Sequence, residues 1–189
     1  MASARLAKSG SGWLVELDGQ PQSFVDLADP RLLAFEYVQH FATIIDSLAP
    51  GPLAVTHVGG GGLSLARYID AERPGSTHIV LEPNAELTAL VRRELPLPRA
   101  HRIRVRPIDG LRGLAALRSG SADVVVLDAY ANGRMPAELT TTAYLGDCAR
   151  VLRRDGVLLA NVADEPGLRF VARFVAGVRT SGAYADCLL

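Results

Sequence analysis

Long apolar runs, lysine, paired cysteines and net charge are scarce or missing in this 189-residue chain. No apolar stretch approaches the ~20 residues that a membrane helix requires. The opening "MASARLAKSG" has no extended apolar core of the kind that directs secretion. The chain is therefore read as soluble and cytoplasmic, with no membrane partner. Its two cysteines, Cys148 and Cys187, have neither metal-site nor redox-motif spacing. They are expected to be small buried hydrophobes in a reducing compartment. Formal net charge is zero, so no global field draws nucleic acid to the surface, and no nucleic-acid partner is expected. Lys8 is the only lysine. The four histidines, His40, His57, His78 and His101, share no ligand spacing, which predicts no metal.

What is present is a chain with 49% hydrophobic residues, enough for one globular unit with a real core. Apolar runs of strand type occur at residues 53–59, 76–82, 102–107, 122–128 and 156–162. Helix-type patterns separate them, the alternation that builds a parallel sheet from β-α-β units. Helices are expected at 63–71, from Pro83 to about residue 94, at 111–118, from Thr140 to Thr142 up to Gly156, and at 166–179. In the fourth of these, Arg153 and Arg154 would place positive charge at the C-terminal end. "RAHRIRVR", residues 99–106, is the one dense basic stretch, and its alternation within a strand predicts arginines facing solvent.

The first fifty residues differ. "GWLVELDGQPQSFVDL" alternates apolar and polar residues around an Asp18-Gly19 turn signal, as a β-hairpin does, and "RLLAFEYVQHFATIIDSL" has helical spacing. The expected organisation is an N-terminal hairpin and helix over residues 1–50 and an α/β unit over residues 51–189. "AYADCLL", residues 183–189, reads as a sixth strand cut off mid-run.

Glycines 59 to 62 lie between the first strand of the α/β unit and its helix, where a ligand can approach the backbone. A P-loop is excluded, because no Lys-Ser/Thr pair follows, and Ser64 stands where a dinucleotide fingerprint has its third glycine. Acids end the other strands: Glu82 about 20 residues on, where a carboxylate accepts both ribose hydroxyls, then Asp109 before Gly110, and Asp128. Three acids around one crevice repel a pyrophosphate and suit a nucleoside carrying a cation. The sulfonium of S-adenosylmethionine, or of its decarboxylated form, fits that description as group donor.

These residues carry a resemblance that covers most of the chain. "LDGQPQ", "FEYVQHF", "VGGGGL", "VLEPN", "IDG" and "VVVLDAYANGRMPAEL" occur in the order and spacing of the spermidine synthase family of aminopropyltransferases, and the chain resembles its divergent bacterial members. The resemblance implies a Rossmann-like, class I methyltransferase-type fold with truncated C-terminal strands, a homodimer and a small-molecule substrate. It implies that Gln22 and Glu82 hold the ribose and thioether side, that Gly59, Gly60 and Gly61 line the nucleoside, and that Asp109 and Gly110 sit by the adenine. Asp128 would be the catalytic carboxylate and Tyr37 would border the amine site.

Aminopropyl transfer is a displacement at the carbon beside the sulfonium, and the attacking amine, with an ordinary pKa of ~10, must first lose a proton. Asp128 is the candidate base. Gly62 and Ala131, however, stand where the family has two acids facing the polyamine, and Val38 and Gln39 replace the residues that follow the helix tyrosine. Replacement charge could come from Glu138, Asp164 or Glu165. Putrescine is therefore not the predicted acceptor. A methyltransferase using the same sulfonium site and a non-catalytic nucleoside-binding relative remain open alternatives.

Overall fold

The computed structural model describes residues 3–131, 133–164 and 166–188. Three N-terminal strands, β1 (Ala4–Ser9), β2 (Gly12–Leu17) and β3 (Gln20–Val25), form an antiparallel sheet in that order. The β2–β3 turn is at Asp18 and Gly19, both with positive φ, as the two-residue hairpin signal requires. The expected hairpin is thus a three-stranded sheet. β1 escaped the sequence pattern because "ARLAKS" carries no fully buried face.

Helix α1 (Glu36–Ser47) follows, shorter than its apolar spacing predicted. The remainder alternates strand and helix: β4 (Ala54–Val58), α2 (Ser64–Glu72), β5 (Thr77–Leu81), α3 (Ala85–Glu94), β6 (Ile103–Arg106), α4 (Gly110–Ala115), β7 (Ala122–Leu127), α5 (Thr142–Val151), β8 (Leu152–Ala160) and α6 (Arg169–Ser181). The five strands from β4 onward pair in the order β6-β5-β4-β7-β8, all parallel. Sequence order reverses between β4 and β7, the switch point where open α/β sheets bind ligands.

Because both faces are covered, the central strands are mostly apolar on both sides. On one face Val55 and Val124 pack with Phe41, Ile45 and Ile69 from α1 and α2. Val80 packs there with Leu87 and Val91 of α3 and with Val15 and Val25 of the N-terminal sheet, which closes over this face. On the other, Val58, Val125 and Leu127 pack with Leu114, Leu145 and Phe174 from α4, α5 and α6. The arginines of edge strand β6, Arg102 beside it and Arg104 and Arg106 within it, are exposed as expected, a charged edge that discourages further pairing.

Two expectations fail. The fourth helix ends at Val151, not Gly156, because Leu152 already pairs with Ala122 and the chain is in β8. "RRDG" then bulges out of the ladder, with Asp155 at φ 65°, and Arg153 bonds Asp123 at 2.6 Å instead of closing a helix. Residues 183–188 form no strand. Tyr184 instead donates its hydroxyl to the Leu145 carbonyl at 2.8 Å, which holds this segment on α5.

Candidate active site

The glycine loop is shaped by what surrounds it. Gly59 has φ 95°, and a Cβ there would lie 2.1 Å from the Asp128 carbonyl oxygen, so β4 and β7 can meet at the switch point only without a side chain. The N–H groups of Gly59, Gly60, Gly62 and Leu63 all donate within the protein, to the Leu81 carbonyl, the Glu82 carboxylate, the Ser23 hydroxyl and the Gly60 carbonyl. A phosphate cradle needs such groups free and aimed outward. With a carboxylate bonded to the loop itself, this is not one.

Glu82 is almost fully buried at the end of β5. One oxygen accepts from Gly60 N at 2.9 Å, the other from Asn84 N at 2.9 Å. Both bonds hold the carboxylate still and leave each oxygen further acceptor capacity, which a pair of ribose hydroxyls requires. A Cβ at Gly60 would approach Glu82 Oε2 to 3.3 Å, so the bare glycine keeps that carboxylate accessible. Behind the loop, Arg67 of α2 is buried and bonds the Gly62 carbonyl at 3.1 Å and the Leu95 carbonyl, tying the loop to the end of α3. Burial lowers its guanidinium to about 10. Arg67 and Ser23 had no sequence signal, since each acts through backbone groups distant in the chain.

A cleft of about 550 Å³, open to solvent, lies over the ends of β4 and β7 and is lined by Gln22, Tyr37, Gly59, Gly60 and Asp128 among others. A smaller one of about 220 Å³ adjoins it across the loop and is lined by Gly60, Gly61 and Glu82. Seven of the nine expected site residues therefore gather at these two adjoining depressions. Asp109 and Gly110 line neither. Asp109 caps α4 through Arg112 N at 2.8 Å and leaves its side chain half exposed. A Cβ at Gly110 would meet Val58 at 2.4 Å, so that glycine serves packing.

Asp128 sits at the centre of the larger cleft's polar cluster. Its Oδ2 accepts from the Tyr37 hydroxyl at 3.0 Å and its Oδ1 from Asn161 Nδ2 at 3.0 Å. Tyr37 comes from α1, where the neighbouring rings of Phe35 and Phe41 hold it at centroid distances of 6.2 and 5.8 Å. Asn161 follows β8, and only the β7–β8 pairing brings it beside Asp128. Tyr130 in turn bonds the Asn161 carbonyl at 2.8 Å. Burial raises the Asp128 carboxyl above the ordinary carboxylate range, and the bonds from Asn161 and Tyr37 oppose that rise. Burial, then the Asp128 charge, pushes the Tyr37 phenol far up, so it stays protonated and donates.

His57 forms part of the same cleft floor. It is buried on β4 and its Nε2 is 3.1 Å from Nδ1 of His78 on β5. Burial and the neighbouring ring hold His57 well below its ordinary range, and burial brings His78 down to about 4, so both are neutral at pH 7. Among the expected sources of replacement charge, Asp164 caps α6 through Phe170 N and Val171 N at 2.7 and 2.8 Å. Glu138 is exposed on a short 3-10 turn, and Glu165 lies outside the described residues.

No family model matches the chain. Two curated relatives are named polyamine aminopropyltransferase: that of Chromobacterium violaceum is 28% identical over 141 residues, 74% of this chain and 53% of its own. That of Neisseria meningitidis serogroup A is 26% identical over 161 residues, 82% of this chain and 60% of its own. The chain thus spans little more than half the length of these relatives. The fold matches human methyltransferase-like protein 13 in complex with SAH at a TM-score of 0.68 and 21% identity, covering 78% of this chain and 73% of that one. A probable spermidine synthase from Corynebacterium glutamicum superposes at a TM-score of 0.87 with 31% identity, over 95% of this chain and 67% of its own. With that degree of identity along nearly its whole length, on a sheet, glycine loop and strand-end acids of this arrangement, the chain belongs to the spermidine synthase family as a spermidine synthase-like member.

Proposed function

We propose that this chain transfers the aminopropyl group of decarboxylated S-adenosylmethionine to an amine. The observation that carries the reading is Asp128, a half-buried carboxylate oriented by two donors at the switch point, beside a glycine loop in which the Gly60 N–H holds Glu82. Residues 51–189 would bind the nucleoside, with Glu82 on the ribose and Gly59, Gly60 and Gly61 against it, while residues 1–50 would contribute Gln22 and Tyr37. Asp109 and Gly110, at the start of α4, would serve the adenine. The names of the curated relatives support the choice of an aminopropyl donor. The protein would work in the cytoplasm as a homodimer and need no metal.

In this reading Asp128 accepts the proton of the incoming ammonium, and its raised affinity for protons narrows the gap to the amine. Tyr37 and Asn161 each bond one carboxylate oxygen, which holds the group in one orientation at the cleft.

Titration calorimetry with three nucleosides tests the donor. Decarboxylated S-adenosylmethionine and methylthioadenosine should bind at least tenfold more tightly than S-adenosylmethionine, whose extra carboxylate would face Asp128. The opposite order would mark a methyltransferase, and no binding by any of the three would remove the nucleoside site altogether.

A further inference from the structure

One wall of the larger cleft is hydrocarbon. Leu33 and Phe35 precede α1, Val38 and Phe41 belong to it, and Leu65 and Ala66 come from α2. Leu33, Val38 and Phe41 are themselves at least nine-tenths buried, so the wall is packed and not a loose surface. Of all described side chains lining this cleft, Asp128 is the one carboxylate, and no lysine or arginine accompanies it. His57 on the floor is neutral and Tyr37 is protonated.

Nor can a second carboxylate be supplied from the glycine loop. A Cβ at Gly62 would lie 2.8 Å from Val25 Cγ2, 3.0 Å from Ser23 Cβ and 3.0 Å from Val15 Cγ2, so a side chain there runs into the buried N-terminal sheet and away from the cleft. Ala131, at the other departure, is bridged to Arg134 through two backbone bonds of 2.8 and 3.1 Å in an exposed turn that lines neither depression.

From this we infer that the acceptor is a monoamine with an apolar tail, not a diamine. The inference rests on the proposed aminopropyl transfer and specifies its second substrate. One ammonium pairs with Asp128, while the tail lies along Val38 and Phe41. A diamine would bring in a second ammonium for which the described lining has no second carboxylate, and burying a charge without a counter-charge is strongly unfavourable. In the reaction the alkylammonium gives one proton to Asp128. The freed nitrogen lone pair then forms a bond to the methylene next to sulfur as the carbon–sulfur bond breaks. Its electron pair stays on sulfur, methylthioadenosine leaves as a neutral thioether, the product is a secondary ammonium, and the Asp128 proton passes to water.

The test uses the whole chain, decarboxylated S-adenosylmethionine, and putrescine, n-butylamine and n-hexylamine as acceptors, with methylthioadenosine release as readout. Butylamine has putrescine's four-carbon chain and lacks its second amino group, and with it the second charge. It should exceed putrescine at least tenfold in kcat/KM, and hexylamine should gain about fourfold more per added methylene. Calorimetry of hexylamine and putrescine on protein saturated with methylthioadenosine should give the same order without turnover. Putrescine equal to or better than butylamine overturns this inference and leaves aminopropyl transfer standing. Release with none of the amines overturns both.

Discussion

Glu82 holds the glycine loop and, in the proposed function, would hold the ribose as well. Its two oxygens accept from Gly60 and Asn84, bonds to a charged acceptor worth about 1.5–3 kcal/mol each. Changing Glu82 to Ala should therefore lower nucleoside affinity at least tenfold and also lower the melting temperature, because two buried N–H groups lose their partner. Unchanged calorimetric affinity would show that the carboxylate serves the loop alone. Gly62 and Ala131 look equivalent in the sequence, as two acids lost, but the structure separates them. Gly62→Asp should destabilise by at least about 1–3 kcal/mol through overpacking against Val15 and Val25. Ala131→Asp, on an exposed turn, should melt within a degree or two of wild type. Equal melting temperatures for the two variants would contradict the geometry of the loop.

At the scale of elements, the β4–β5 pairing creates something neither strand signals alone. His57 on β4 has an apolar strand around it, and the parallel register supplies its partner, His78 on β5, with stacked rings 5.4 Å apart. Both histidines have a folded-state pKa below the unfolded value, His78 falling from 6.5 to about 4. The unfolded chain therefore binds more protons through that window, and the pair's contribution is intact above pH 6.5 and is lost as pH falls toward 4. For His78 this is on the order of 2 kcal/mol. Melting curves from pH 7.5 to 4.5 should show the loss, and the double change of His57 and His78 to Leu should flatten it. An acid limb of the same slope in the double variant would place its origin elsewhere.

The elements legible in the sequence were those with a periodic apolar face. The five parallel strands and the helices between them follow from that pattern, as does the Asp18-Gly19 turn. What could not be read depended on pairing. The start of β8 at Leu152 is set by its partner Ala122, and two arginines that look like a helix end are a bulge. Asn161 and Ser23 reach Asp128 and Gly62 across 33 and 39 residues, with no local signature. Leu63 is a further case. It takes φ 66°, a conformation that costs a leucine roughly 1 kcal/mol, and is held there by burial in the core beneath the N-terminal sheet.

For the whole molecule, the sheet order gathers the candidate site at the β4–β7 seam. The N-terminal sheet closes one side of the glycine loop through Ser23 on Gly62, while α1 brings Tyr37 and the end of β8 brings Asn161 to Asp128. Among the described residues no helix is long and apolar enough to cross a membrane, and no three metal-ligating side chains converge. In the proposed function Asp128 serves as the base of an aminopropyl transfer. The decisive measurement is methylthioadenosine release from decarboxylated S-adenosylmethionine with n-hexylamine, for wild type and Asp128→Asn from pH 5 to 9. Wild type should turn over, with a rate that declines on acidification as Asp128 takes up a proton above the ordinary carboxylate range, and the variant should lose at least a hundredfold in kcat while binding methylthioadenosine as before. An Asp128→Asn protein that releases methylthioadenosine at the wild-type rate with the same pH profile would contradict the account.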